Sequence, residues 1–280
     1  MKIGIIGNGF VGNATCQLEC KDIEIVVYDK NPELCIPKDT KLKDLVKCEI
    51  IFISVPTPMN KDGSCYLNII KSVLYELNEL NYDNFIVLRS TVPVGTCDSL
   101  KCYFMPEFLT EKNYIKDFYN NKDWIFGLLN NEKDMEFKNI ITKLINLAYL
   151  NEKIKYNAIH FVLNKEAEMI KMFRNCFLAT KVSFCNEISQ FCNIKGINYE
   201  NVRKIATKDY RILESHTKVP GPDGKNGFGG TCFPKDTNSL RYEMENSGME
   251  PHILNSIIHR NEKVDRPEQD WNENKGRAVL

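Results

Sequence analysis

Lys2-Ile3-Gly4-Ile5-Ile6-Gly7-Asn8-Gly9-Phe10-Val11-Gly12 opens the chain with a short apolar strand that runs straight into a G-x-G-x-x-G turn. A helical pattern follows, with Val11, Ala14, Thr15 and Leu18 on one side, and a second strand over residues 23–28 ends at Asp29. Strand, glycine turn, helix and acid in this order are the context that makes the motif specific for a dinucleotide. Gly7 permits the tight turn, Gly9 lets the backbone reach a pyrophosphate, and Gly12 lets helix and strand pack closely. The helix N-terminus attracts the phosphate charge. Asp29 is spaced to accept a ribose 2′-hydroxyl and would repel a 2′-phosphate, which favours NAD over NADP, although the neighbouring Lys30 pulls the other way.

Further apolar stretches repeat the strand theme. Residues 50–54 end in Val55-Pro56-Thr57-Pro58, and residues 85–88 end in Arg89-Ser90-Thr91-Val92-Pro93-Val94-Gly95-Thr96. Such runs fit a parallel sheet covered on both faces. Ligands in these sheets sit beyond the carboxyl ends of the strands, where both Ser/Thr/Pro clusters fall. The same clusters also fit ordinary strand-to-helix turns with a Thr cap. Tyr103-Phe104-Met105 leads into Pro106-Glu107-Phe108-Leu109-Thr110-Glu111. If Pro106 opens a helical turn, Glu107 and Glu111 stack on one face, and paired carboxylates raise one pKa toward general-base work. On an open surface they are solvated acids.

After residues 124–129 the pattern turns helical, and residues 160–164 lead into a stretch over 164–195 with neither Gly nor Pro. Wholly helical, its 32 residues span ~48 Å, more than one domain needs, so it bridges two domains or pairs with a copy of itself. Lys171 and Asn175 share one of its faces, either as a solvated polar stripe or as part of a site. The helical pattern resumes over 201–208. Val219-Pro220-Gly221-Pro222-Asp223-Gly224 is a stiff turn, and it precedes Gly227-Phe228-Gly229-Gly230-Thr231-Cys232-Phe233-Pro234-Lys235-Asp236. Three glycines in four positions let a backbone approach a ligand with its N–H groups free, beside a cysteine, a lysine and an aspartate. The plain alternative is a surface turn with a cysteine nearby. A short helix is expected over 238–245, and a polar, poorly packed tail from Asn261. These elements predict an α/β fold: a Rossmann-type doubly wound parallel sheet over 1–155, a long connecting helix with a small all-α central domain over 156–255, and a polar tail over 256–280.

Composition bounds the function. Basic and acidic residues balance at 37 each, so nothing points to nucleic acid or an anionic membrane. The eleven cysteines follow no metal-ligand spacing, and no metal is expected. No apolar run is long enough to cross a bilayer. With no room for a targeting segment before the first strand, a reduced, cytoplasmic setting is the expectation.

Taken together, the glycine turn, Ser54-Val55-Pro56-Thr57-Pro58, Ser90-Thr91-Val92-Pro93-Val94-Gly95, Pro106-Glu107-Phe108-Leu109, the helix over 168–187 and the stretch 227–236 resemble the UDP-glucose/GDP-mannose dehydrogenase family. The resemblance implies a four-electron oxidation of a sugar-nucleotide C6 alcohol, such as that of UDP-glucose, to a carboxylate with two NAD. UDP-N-acetylmannosamine and GDP-mannose are alternative substrates, and an inactive NAD-binding module needing a partner is a further one. It also implies a third, nucleotide-gripping domain that this sequence lacks. Cys232 matches the nucleophile, Lys171 and Asn175 the oxyanion stabilisers, Asp236 the group that orients water, Glu107 a proton shuttle, and Thr91 a residue near the reacting alcohol. Cofactor contacts carry over to Gly7, Gly9, Phe10, Val11, Gly12 and Asp29, and to Pro56, Thr57, Ser90, Thr91 and Lys235. Sugar contacts carry over to Glu107, Phe108, Leu109 and Glu111, to Lys171, Asn175 and Arg211, and to Phe228, Gly229 and Gly230. Arg211 matches a residue that reaches into a neighbouring subunit, so a homodimer through the long helix is implied.

Overall fold

The computed structural model describes all 280 residues. They form two compact units: Met1–Thr57 with Leu67–Lys171, and Pro58–Tyr66 with Met172–Leu280. The first unit holds seven strands: β1 (Lys2–Ile6), β2 (Glu24–Tyr28), β3 (Ile50–Ile53), β4 (Phe85–Leu88), β5 (Tyr103–Phe104), β6 (Asp123–Leu128) and β7 (Ala158–Leu163). Its helices are α1 (Phe10–Thr15), α2 (Asn68–Glu79), α3 (Thr96–Leu100), α4 (Tyr114–Tyr119) and α5 (Asp134–Leu150). α6 (Asn164–Lys195) gives its residues through Lys171 to this unit and the remainder to the second.

The sheet order is β2-β1-β3-β4-β5-β6-β7, parallel throughout except between β5 and β6. The order reverses between β1 and β3, which is the switch point where open α/β sheets bind ligands. Both faces are covered, as the apolar runs require. Ile3, Ile5, Val27, Phe52, Val87 and Phe126 pack on one side with Phe137, Ile141 and Leu144 of α5. Ile6, Val26, Ile51, Ile53, Leu88 and Phe104 pack on the other with Ile70 and Leu77 of α2.

The first turn is held by close backbone contacts. Gly7 has φ +88°, and a Cβ there would meet the Ser54 carbonyl oxygen at 2.7 Å. A Cβ on Gly12 would meet the Gly7 carbonyl oxygen at 1.9 Å, so any side chain would push α1 off β1. Arg89 lies beneath α1, almost wholly buried, and donates to Val11 O (3.3 Å) and to Thr15 Oγ1, with the Phe118 ring 5.6 Å away. Burial pulls its guanidinium down to about 10, with the Glu107 charge partly offsetting the effect.

Sequence pattern missed β7. As the last strand of the sheet it is only partly buried, and His160 faces outward to bond Asp123 at 2.9 Å, so its hydrophobicity is weak. With β7 and the start of α6 on the sheet, the structure divides after Lys171, later than the boundary drawn at 155.

One face of early α6 orders the segments that follow β4 and β5. Asn164 Nδ2 donates to Asp98 Oδ1 and Cys102 O, both at 3.0 Å. Glu168 accepts from the N–H groups of Gly95 (2.5 Å) and Cys97 (2.8 Å). Lys171 Nζ bonds Glu107 O and Oε1, both at 2.6 Å. Positions i, i+4 and i+7 lie on one helical stripe, and all three side chains are buried.

The second unit is helical: the rest of α6, then α7 (Tyr199–Ala206), α8 (Phe233–Asn246) and α9 (His252–Arg260). α8 begins five residues before the helix expected over 238–245, because Pro234 suits a first helical turn, where its missing N–H costs nothing. The expected poorly packed tail is instead ordered. Asn261–Asp265 forms a π turn, Trp271 and Ala278 are buried, and the chain end pairs with Met59 through Met59 N–Ala278 O (2.9 Å) and Leu280 N–Met59 O (3.1 Å). Polar composition hid this because the tail is held by ion pairs and backbone bonds as well as by its apolar residues.

Glu168→Ala would leave two amides without their acceptor, a loss of about 1–3 kcal/mol. Denaturant unfolding should show that drop and a smaller one for Glu168→Gln, which keeps a carbonyl acceptor. An unchanged midpoint for the alanine variant would contradict the clamping role of this face.

Candidate functional site

In the first unit the predicted cofactor residues gather at the carboxyl ends of β1 to β4. Asp29 closes β2, and its carboxylate accepts from Asn8 N (2.7 Å) and Asn31 N (2.8 Å). Gly9 faces open space, with no protein atom within 4 Å of where a Cβ would lie. Phe10 and Val11 begin α1, and the Phe10 ring meets Tyr114 edge-on at 6.3 Å. The loops after β3 and β4 are stitched together: Ser90 Oγ donates to Val55 O (2.6 Å) and Thr57 Oγ1 to Thr91 O (2.8 Å). Thr57, Ser90 and Thr91 are buried while Pro56 is exposed. These residues fit an NAD pyrophosphate and ribose on physical grounds: an open glycine backbone at a helix start, with an acid one strand away.

The segment after β5 differs from the sequence expectation. Residues 106–110 are not helical, so Glu107 and Glu111 do not stack; Glu107 is buried and Glu111 is exposed in a turn. Nor is the Glu107 carboxyl raised. Burial alone would push it up, but the Lys171 ammonium, the Leu109 N–H (2.9 Å) and the Arg89 charge together hold it below the usual range. The Phe108 ring lies 5.7 Å from Lys171 Nζ, and Leu109 is half-buried. A cavity of about 480 Å³ bordered by Gln17, Lys112, Lys116 and Lys153 contains none of these residues.

In the second unit Asp236 is the hub. It is buried in the first turn of α8 and accepts from Asn175 Nδ2 and from Lys235 Nζ, each at 2.5 Å. Burial disfavours the Lys235 ammonium, yet the Asp236 charge, with Cys232 and Cys65 adding to it, raises its pKa well above the usual lysine range. Cys232 caps the N-terminus of α8 and is half-buried, with Thr231 Oγ1 3.8 Å from its sulfur. Cys176, on the Asn175 stretch of α6, is buried and lies 3.8 Å from Asp236 O. Burial and then the Asp236 charge push its thiol far up.

The glycine loop is less free than expected. Gly227 N donates to Asn186 Oδ1 (3.1 Å) and Phe228 N to Asn261 Oδ1 (2.8 Å), while Asn261 Nδ2 returns a bond to Phe228 O (2.8 Å). Phe228 itself is buried, edge-on to Phe233. Gly230, at φ +71°, faces open space. Arg211 is exposed and held by Asp209, Nη2 to Oδ2 at 2.5 Å, and is not part of the Asp236 cluster. Sequence reasoning missed Arg89, Glu168, Asn261 and Arg266. The buried position of Arg89 is set by contacts 74 and 78 residues away that no local pattern announces, whereas Arg266 pairs with Asp270 four residues on as well as with Asp223.

Comparisons with known proteins place the chain in a family. Residues 37–145 match the UDP-glucose/GDP-mannose dehydrogenase family, NAD binding domain, and residues 165–263 match the central domain of the same family. A UDP-glucose 6-dehydrogenase of Rickettsia felis is 29% identical over 94% of this chain, which spans 65% of that relative's length. A UDP-glucose dehydrogenase structure from Pyrobaculum islandicum superposes with a TM-score of 0.79 at 23% identity, over 93% of this chain and 68% of that one. A GDP-mannose dehydrogenase structure from Pseudomonas aeruginosa gives 0.66 at 24% identity, over 96% and 69%. At these identities the two structures speak for the fold, and the two family domains, matched in order over most of the sequence, speak for descent: the chain belongs to the UDP-glucose/GDP-mannose dehydrogenase family.

Proposed function

We propose that this chain oxidises the C6 alcohol of a nucleotide sugar, UDP-glucose foremost, to the carboxylate in two hydride transfers, with Cys232 as nucleophile. The observation that carries the reading is the Asn175–Asp236–Lys235 cluster in the first turn of the helix that Cys232 caps. A helix N-terminus and a nearby ammonium both favour negative charge on that sulfur. NAD supplies the hydride acceptor when bound.

The residues divide the work as follows. The alcohol loses a hydride and a proton to give an aldehyde; by resemblance Thr91 is the residue near it and Glu107 the proton shuttle, and its pairing with Lys171, which lowers its affinity for the proton, suits it to pass the proton on rather than keep it. The Cys232 thiolate adds to the aldehyde carbon, and the Lys171 ammonium and Asn175 amide stabilise the resulting oxyanion. The thiohemiacetal gives up a second hydride and becomes a thioester. Asp236 orients the water that cleaves it, releasing the carboxylate and the thiol. The ammonium that touches Asp236 is Lys235, so Lys235 supports this step as well as the cofactor contact carried over to it. Phe108, Leu109, Glu111, Phe228, Gly229 and Gly230 contact the sugar.

A homodimer through α6 belongs to the same reading. Phe173, Phe177, Phe184 and Phe191 are 62%, 59%, 63% and 53% exposed, and their spacing of four and seven puts them along one side of the helix. A contiguous apolar stripe of this kind marks a protein interface. Arg211 would then serve the partner's site.

Assayed against UDP-glucose, GDP-mannose and UDP-N-acetylmannosamine, the chain should form two NADH per molecule of one of these sugars, UDP-glucose first; no NADH with any nucleotide sugar discards the reading. Cys232→Ser should stop short of the carboxylate, and full turnover by that variant contradicts its role. Phe177→Glu or Phe184→Glu should shift the sedimenting species from dimer to monomer, and an unshifted dimer would place the interface elsewhere.

A further inference from the structure

We infer that Arg266 is a positioning residue for the glycine loop and, through it, for Cys232; the inference rests on reading that loop as part of a nucleotide-sugar site. The Arg266 side chain is 4% exposed. Its Nε donates to Asp270 Oδ1 at 2.8 Å, and its Nη2 reaches Asp270 Oδ2 and Asp223 Oδ2, both at 2.7 Å. A planar guanidinium paired on two sides with carboxylates has one orientation. That orientation lays it against the bare side of Gly229: a Cβ there would sit 2.4 Å from Cζ, 2.6 Å from Nε and 2.7 Å from Nη2. The arginine occupies the place a side chain would take.

Asn261 acts beside it. Its amide closes both the N–H and the C=O of Phe228, and its Oδ1 would lie 2.3 Å from a Cβ on Gly227. Residues 261–266 therefore fill the inner side of the loop over three consecutive positions, and Cys232 follows two residues after Gly230. Asp223 belongs to the Pro/Gly turn that leads into the loop, and Asp270 lies four residues beyond Arg266, so one guanidinium ties the 223–229 stretch to the C-terminal segment. Lys225 extends the network to Asp270 (2.7 Å) and Glu268 (3.2 Å).

The test compares Arg266→Ala, Gly229→Ala and the double variant in the full chain, reading sugar kinetics, NAD affinity, and the rate at which iodoacetamide alkylates Cys232 by peptide mass spectrometry. Arg266→Ala should lower kcat/KM for the nucleotide sugar on the order of 10–100-fold, leave NAD binding unchanged and alter the Cys232 alkylation rate. Gly229→Ala should do the same by collision. The double variant should be less impaired than Gly229→Ala alone, since removing the guanidinium makes room for the methyl group. A purely structural arginine would not give that rescue. Asp270→Asn, which keeps Arg266 and loosens its hold, should move in the same direction by less, and it covers the case in which Arg266→Ala does not fold. Equal impairment of Gly229→Ala with and without Arg266, or wild-type kinetics and alkylation in Arg266→Ala, overturns the inference. If the wild type oxidises no nucleotide sugar, the proposed function fails, while alkylation and the rescue comparison still report on the loop.

Discussion

The segment that follows β5 depends on the buried contact between Lys171 and Glu107. An ammonium and a carboxylate taken out of water cost several kcal/mol each, and only close, fully bonded geometry repays that. Here the geometry is close: the ammonium reaches both the carboxylate and the backbone carbonyl of Glu107 at 2.6 Å, and the second carboxylate oxygen accepts the Leu109 N–H. The pair fixes a segment with no regular structure of its own, and with the Leu109 N–H and the Arg89 charge it holds the Glu107 carboxyl below its usual range against the upward push of burial. With Glu168 and Asn164 on the same helical stripe, α6 holds two stretches of chain, residues 95–102 after β4 and Glu107 after β5.

The cysteines show how environment separates chemistry from packing. Eleven are present and none is in a disulfide. Cys176 and Cys232 both lie near Asp236, yet they differ in kind. Cys176 is buried against a carbonyl, and burial and the Asp236 charge together suppress its thiolate. Cys232 is half-buried at the start of a fourteen-residue helix, three residues before a lysine whose charge is locked on by Asp236. A sulfur becomes a nucleophile only where charge on it is tolerated, and burial and the Asp236 charge remove Cys176 from that role.

Local sequence patterns revealed the parts of this molecule that local physics determines. The turn over 7–12 was legible because glycines there answer to backbone atoms within the same strand–turn–helix unit, and α6 was legible to the residue because nothing in 164–195 breaks a helix. β7 was not, since a half-exposed last strand carries a weak alternation. The start of α8 was not, since Pro234 reads as a loop residue until it is seen in a first turn. The paired-acid expectation at Glu107 and Glu111 failed because it needed a helical turn, and a lysine 64 residues away took one of the two carboxylates instead. The tail failed for the same reason: its order comes from Asp223 and Met59, neither of them visible from residue 261 onward.

The two glycine-rich stretches make the distinction general. In the first, Gly7 and Gly12 are required by main-chain carbonyls, which any sequence with this fold would present. In the second, Gly227 and Gly229 are required by the side chains of Asn261 and Arg266, which arrive from another part of the chain. A glycine signature therefore has two physical origins that look alike in sequence. Backbone conformation adds a third origin: Gly230 meets no protein atom, but its φ of +71° is one that side chains rarely adopt. Gly9 has neither a positive φ nor a protein atom within 4 Å of a Cβ. Of the three glycines in the first turn it alone answers to no demand from the fold, and an open backbone at a helix start is where a phosphate can approach closely.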